Sequence, residues 1–252
     1  MMRYPNLLTM TKNNIIIFLF FSYTSTFSQN NVIVNYKVFP KFGTFENSKE
    51  IRSSKISNHF IGVDDELKKL NYELVINDSI SFFYLKPSMA FNEKAARVAK
   101  SIGGRSEYYK FNENNKLIIV KDLMGQKFNV QVDSILKWKI TNETKNIESK
   151  KCFKATTIKK FRLKKNNNEI EVIAWFCPEI PLNFGPKEYS NLPGLILEIE
   201  EDKLIYLADK VEFEADNKIN LIKLADKTIS ESEFDKKIEN TYIQNENILK
   251  NE

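Results

Sequence analysis

Four prolines sit between two apolar runs, and they dictate how the middle of this chain can fold. Val172-Ile173-Ala174-Trp175-Phe176 and Leu195-Ile196-Leu197-Glu198-Ile199 read as strands; Pro178, Pro181, Pro186 and Pro193 lie between or beside them. Proline has no N–H to give to a ladder, so a sheet must be interrupted wherever these residues fall. Residues 178–194 are therefore predicted to form an ordered crossing loop, plugged onto a core by Phe184, Tyr189 and Leu192. The continuous run at 172–176 suits a strand covered on both faces. Pro193-Gly194 fits the two central positions of a type II turn, where glycine supplies the positive φ. Beyond it, Leu195, Leu197 and Ile199 should face one way and Ile196, Glu198 and Glu200 the other.

The rest of the chain follows the same pattern of short strands broken by Asn, Asp and Lys turns. Val32, Val34, Tyr36 and Val38 alternate with Ile33, Asn35 and Lys37 up to Pro40. Runs at 72–76 and 81–85 flank Asn77-Asp78, and runs at 108–111 and 116–120 flank Asn114-Asn115, so each pair predicts a hairpin. Strands are also predicted around Phe128-Val132 and Leu136-Ile140. Helical spacing is confined to three places: 64–70; Phe91, Ala95, Val98, Ala99 and Ile102 ahead of Gly103-Gly104; and Phe234, Ile238, Tyr242 and Leu249 behind a Ser230–Glu233 capping box. With 42% hydrophobic residues in 252, a substantial core is affordable. The economical architecture is mainly β: one antiparallel β-rich domain over 29–252, a curved sheet or half-open barrel or bowl, with a few peripheral helices including one at the C-terminus.

The first 28 residues carry a different message. Arg3 and Lys12 precede the short apolar run Ile15–Phe21, and Thr26-Phe27-Ser28 offers a small-x-small cleavage site before Gln29. This is the anatomy of a secretory signal peptide, with no cysteine at the cleavage point to take a lipid. The expected location is periplasmic or extracellular, with no transmembrane helix once the leader is removed. Without that segment the chain has 36 basic and 33 acidic residues, a net of +3, too little to argue for nucleic acid. The local run Lys159–Lys165 reads as a strand entering an exposed turn at Asn166-Asn167-Asn168, with lysines guarding its edge.

Export permits a disulfide between the chain's two cysteines, Cys152 and Cys177. A hairpin turning at 164–165 sets them directly opposite, whereas one turning at the Asn triplet misaligns them by up to five residues. A bond there would be worth about 3 kcal/mol in the loop-entropy picture. Two buried free thiols or a metal-binding pair are the alternatives.

The segment 136–214 also carries a resemblance. Trp138-Lys139-Ile140, Cys152-Phe153-Lys154-Ala155-Thr156, Trp175-Phe176-Cys177-Pro178-Glu179-Ile180-Pro181, Gly185-Pro186 and Leu192-Pro193-Gly194-Leu195-Ile196 occur in that order. The series closely resembles the GLPGLI family of secreted bacterial proteins, whose biochemical activity is not established. The family's first motif glycine is Asn191 here, and Asn is the next most tolerant residue of left-handed backbone. A looser likeness is to the bowl-shaped β-rich N-terminal domain of some secreted peptide-N-glycosidases, which would imply a non-catalytic accessory fold.

Catalytic chemistry finds little purchase. His59 is the one histidine, and no Gly-x-Ser-x-Gly provides a nucleophile for a triad. One His and two Cys make a zinc site improbable, and no cofactor is implied. Glu179 is the one carboxylate within the resembling motifs, without a partner carboxylate that sequence can supply. The expected role is therefore a non-enzymatic one: binding an envelope protein or ligand through the concave face of the sheet or through the 178–194 loop, with Trp175, Phe176, Glu179, Pro181, Gly185, Pro186, Leu192, Pro193 and Gly194 as the motif residues. The alternatives are a carboxylate-based hydrolase of glycans or peptides built around Glu179, and a carrier of an apolar ligand.

Overall fold

The computed structural model describes residues 31–41, 60–77, 79–87, 94–133, 136–163, 166–215, 224 and 227–250. The leader segment 1–28, His59, Phe91 and the side chains of Tyr242 and Leu249 lie outside the described residues.

Twelve strands form one open sheet. In chain order they are β1 (Asn31–Pro40), β2 (Asn71–Ile76), β3 (Ile80–Leu85), β4 (Glu107–Phe111), β5 (Leu117–Leu123), β6 (Gln126–Val132), β7 (Lys139–Ile147), β8 (Lys150–Leu163), β9 (Asn166–Cys177), β10 (Leu195–Glu201), β11 (Leu204–Ala215) and β12 (Thr228–Ser230). Their spatial order is β12-β6-β5-β4-β3-β2-β1-β11-β10-β9-β8-β7. The fold is mainly β as the alternation of residues predicts, and the sheet is not closed into a barrel. Neighbours pair antiparallel, except that β12 runs parallel to β6. Three helices accompany the sheet among the described residues: α1 (Val63–Lys69), α2 (Lys94–Gly103) and α3 (Glu231–Lys250).

Local chemistry explains the punctuation. The β2–β3 turn is held by the Asn77 side chain, whose Oδ1 accepts the backbone N–H groups of Ser79 and Ile80 at 3.0 and 2.9 Å. Helix α1 carries Asp64, Asp65 and Glu66 in its first turn and Lys68 and Lys69 in its last, matching the helix dipole. Helix α3 starts on the predicted capping box: Glu233 N–H donates to Ser230 Oγ at 3.2 Å, and Ser230 N–H donates to Glu233 Oε2 at 2.8 Å. Phe234 on its first turn is buried and packs edge-on against Phe128 of β6. The three-residue β12 just before it has no signature in the sequence.

The core is built on the predicted inward faces. Val34, Tyr36 and Val38 of β1, Leu74 of β2 and Tyr206 of β11 are fully buried. Tyr72 stacks on Phe83 at 5.2 Å. Both Tyr72 and Tyr206 donate their hydroxyls to the Gly103 carbonyl, at 2.5 and 2.9 Å. That carbonyl ends α2, beyond the reach of the helix's own N–H donors, so the two tyrosines satisfy it and tie the helix end to the sheet.

Two expectations are corrected. The segment Leu136-Lys137-Trp138 is irregular, and β7 begins only at Lys139. The Asn triplet at 166–168 is not a turn but the start of β9: β8 pairs with β9 without a shift from Phe153↔Phe176 to Leu163↔Asn166. A polar triplet can occupy strand positions where a sheet extends past its core, so composition alone mislocates the turn.

Candidate functional site

Strands β9 and β10 are adjacent and antiparallel, so residues 178–194 leave the sheet and return to the neighbouring position. The loop carries its own hydrogen bonds. Leu195 N–H donates to Ile180 O at 2.9 Å, Ile196 N–H to Phe184 O at 3.0 Å, and Asn191 N–H to Asn183 O at 2.8 Å. Phe184, Tyr189 and Leu192 are buried, plugging the loop onto the core as the sequence predicts. Trp138, from the irregular segment before β7, locks the far side: its indole N–H donates to Ser190 O at 2.9 Å, and its ring meets Tyr189 edge-on.

The turn that closes the loop differs from the one expected. Gly194 N–H donates to Leu192 O at 2.8 Å, a three-residue turn about Pro193. A type II turn would return Leu195 N–H to Leu192 O, but Leu195 is claimed by Ile180. Asn191 takes the left-handed conformation at φ 68°, the role anticipated for it. The alternation predicted for 195–200 is also broken. A bulge between Ile196 and Glu198 shifts the pairing with β9, and residues 195–199 are all buried.

Two glycines are required by close approach. A Cβ on Gly185 would lie 2.8 Å from two atoms of Ile196 and 2.9 Å from Tyr189 O. A Cβ on Gly194 would lie 2.3 Å from the Cys177 carbonyl oxygen. Of the other motif residues, Phe176, Pro186 and Leu192 are buried, and Trp175 is half-buried on the other face of β9. Lys145 Nζ stands 4.4 Å over the Trp175 ring, whose N–H points to Glu200 Oε1 at 3.4 Å. Glu179, Pro181 and Pro193 are exposed. Glu179 has no ion pair or hydrogen bond among the described residues.

Beneath the loop lies a charge cluster that sequence reasoning missed. Lys159 Nζ is 2.5 Å from both Glu188 Oε1 and Glu201 Oε1, and Lys187 Nζ is 2.5 Å from Glu201 Oε2. Lys187 also sits 4.2 Å over the Tyr206 ring. Burial alone would raise the Glu201 carboxyl, but Lys187 and Lys159 outweigh it and hold the pKa down at about 2. Burial likewise opposes charge on Lys159, and Glu188 and Glu201 outweigh it, so its pKa is raised. Burial and the same two glutamates push the Tyr189 and Tyr206 hydroxyls well up, keeping both neutral. In the sequence Lys159 reads as one member of a solvated basic run. Strand parity is the signal that could have found it: Lys159 shares a face with Ala155 and Thr157, which are buried, whereas Lys160 points to solvent and pairs with Glu169.

Both cysteines are free and buried, so the expected disulfide is not formed. The β8–β9 register does place Cys152 opposite Cys177, one step past the Phe153–Phe176 pair. The Cys152 thiol donates to Lys150 O, 3.6 Å away. Burial, with Cys177 adding to it, pushes the Cys152 pKa up to about 12, so this thiol is protonated and unreactive at neutral pH.

Among the described residues no group of His, Cys, Asp and Glu could hold a metal ion, and no helix is long and apolar enough to cross a membrane.

Comparison with known proteins gives a family for part of the chain. Residues 159–198, which hold Lys159, the loop and most of β10, match a family described as a protein of unknown function (Porph_ging). No curated protein matches. Among solved structures the chain is similar to PNGF-II in two crystal forms, C2 and P21. Each is 12% identical, with TM-scores of 0.48 and 0.47 over 80% and 81% of this chain. The chain spans 31% of the length of the PNGF-II chain.

Proposed function

We propose that the protein is an exported envelope protein of the GLPGLI type, a single domain over 29–252 that acts by binding rather than by catalysis. Its contact surface is the outer rim of the 178–194 loop. The observation that carries this reading is the division of labour within the loop. Phe184, Gly185, Pro186, Tyr189, Leu192 and Gly194 are buried and hold the backbone, while Pro178, Glu179, Pro181 and Pro193 stand exposed on it. A rim of prolines on a backbone fixed by packing loses little conformational entropy when a partner docks. Glu179 adds one charge to that rim. Catalysis by carboxylates would need a second carboxylate facing Glu179, and Glu188 and Glu201 are instead engaged with Lys159 and Lys187. An apolar carrier would need a large greasy cavity, which the close packing of Tyr36, Tyr72 and Tyr206 does not favour.

The test is capture of partners from the envelope of the producing cell by the wild-type chain and by Glu179→Ala/Pro181→Ala, both changes being on exposed side chains. The reading expects the double variant to unfold at the wild-type temperature and to lose the captured partner. Retention of the same partner by the folded variant contradicts it.

A further inference from the structure

Helices α1 and α2 pack against each other and differ in how their charge is balanced. Helix α1 takes up its own: Lys68 pairs with Asp65 at 3.6 Å and Lys69 with Glu66 at 2.5 Å, and Asp64 is buried. Helix α2 does not. From Lys94 to Ser106 the chain holds Lys94, Arg97, Lys100 and Arg105 and no acidic residue. Lys94, Arg97 and Arg105 are exposed and Lys100 is half-buried, and none of the four has an ion pair among the described residues. Glu107, the next acid along the chain, lies 3.5 Å from Lys127 of β6.

Helix geometry gathers these cations. Lys94, Arg97 and the exposed Ser101 recur at i, i+3 and i+7, on the face away from the buried Ala96, Ala99 and Gly103. Arg105, past the helix end, folds back: its guanidinium donates to Arg97 O at 2.9 Å. Like charges three residues apart cost a helix stability, and a lysine in the first turn opposes the dipole. The basic face of α2 is thus not explained by the stability of the helix that carries it.

An apolar side chain stands beside the cations. Gly62, just ahead of α1, lies against α2, where a Cβ on it would be 3.6 Å from Ala95 Cβ. Ile61 precedes Gly62 and Lys94 precedes Ala95, so both residues border that junction. Ile61 is 67% exposed.

Cations around a protruding aliphatic side chain match an anionic bilayer, whose phosphates take the charges and whose acyl boundary takes the isoleucine. A dissolved polyanion would use the charges but leave Ile61 in water. We propose that this face of α2, together with Ile61, docks the protein onto a membrane leaflet rich in anionic phospholipid. The attraction fades over a Debye length, so docking is reversible and sensitive to salt. It uses none of the exposed rim residues of the 178–194 loop.

The test is co-sedimentation of the purified full chain with vesicles of phosphatidylglycerol and phosphatidylcholine in equal parts, and with vesicles of phosphatidylcholine alone. Wild type should partition more strongly onto the anionic vesicles, and added salt should remove the difference. Each basic side chain at an anionic surface is worth about fivefold in partitioning, so Lys94→Gln should lose about fivefold and Arg97→Gln/Arg105→Gln about 25-fold. Ile61→Ser should lose about fivefold through its apolar contact. All four side chains are exposed, so thermal melts should match wild type; should the arginine pair unfold, Lys94→Gln decides. Any contribution of residues 1–28 is common to wild type and variants and cancels between them. The proposal is overturned if the lysine and arginine variants bind anionic vesicles as wild type does. It is overturned too if Ile61→Ser binds as wild type does, since the patch is then one for soluble polyanions. Glu179→Ala/Pro181→Ala should leave sedimentation unchanged, so this outcome is independent of the loop's role.

Discussion

The Tyr36 hydroxyl donates to the carbonyl of Ile196 at 2.6 Å, joining residues 160 apart in the chain through a fully buried side chain. In the sheet β11 lies between their strands, so Tyr36 reaches past one strand. Its target is the carbonyl next to the β10 bulge, where pairing with β11 has not yet begun: that pairing starts at Glu198. A buried carbonyl left out of a ladder needs a donor, and Tyr36 provides it. Tyr36→Phe should cost about 1–3 kcal/mol in denaturant unfolding, the penalty for an orphaned buried acceptor. Tyr206→Phe should cost less, because Tyr72 still donates to the Gly103 carbonyl. Equal losses for the two would contradict this assignment.

The charge cluster sets a pH dependence. Glu201 titrates at about 2 when folded, against an ordinary value near 4.5. Below that ordinary value the unfolded chain takes up a proton that the folded chain resists, so stability is lost as the pH falls from about 4.5 toward 2. Lys159 acts with the opposite sign. Its raised pKa contributes stability at neutral pH that disappears only as alkaline pH passes through its folded value. Glu201→Gln should cost about 3 kcal/mol at neutral pH, since it leaves Lys187 and Lys159 short of a buried partner. It should also flatten the acid limb of a stability-against-pH curve. An unchanged acid limb in the variant would show that other carboxylates govern it.

Asn191 is left-handed at φ 68° and exposed. Asn191→Gly should therefore change stability by less than about 0.5 kcal/mol, because glycine's backbone ease is offset by its larger unfolded-state entropy. Asn191→Val should cost about 1–2 kcal/mol, the ordinary penalty for forcing a branched residue into that region. Thermal melts of the two variants separate a backbone requirement from a side-chain one.

Much of the strand plan was legible because it rests on local patterning. The alternation in Val32–Val38, the Asn77 turn and the Ser230–Glu233 box each report on residues a few positions apart. The plugging of the loop by Phe184, Tyr189 and Leu192 was legible for a related reason, since prolines forbid the ladder and the apolar residues between them have to go somewhere. What escaped was set by distant partners. Leu195 gives its N–H to Ile180, and that choice converts the expected four-residue turn into a tighter one at Pro193. Lys159 meets Glu188 and Glu201 only because β8, the loop and β10 converge, and in the sequence it is one lysine in a basic run. The cysteines show both sides. Their register follows from the unshifted β8–β9 pairing, but whether the two thiols bond depends on packing that spacing does not encode.

Gly194→Ala and Glu179→Ala, melted side by side, test the central claim most directly: the buried side of the loop is a clamp, and its exposed side is free for contact. The methyl group added at Gly194 would fall 2.3 Å from the Cys177 carbonyl oxygen, on a backbone with a φ of 151°. The account predicts a loss of about 3 kcal/mol or more for Gly194→Ala and less than about 0.5 kcal/mol for Glu179→Ala. A Gly194→Ala chain as stable as wild type, or a large loss on removing the Glu179 carboxylate, would contradict it.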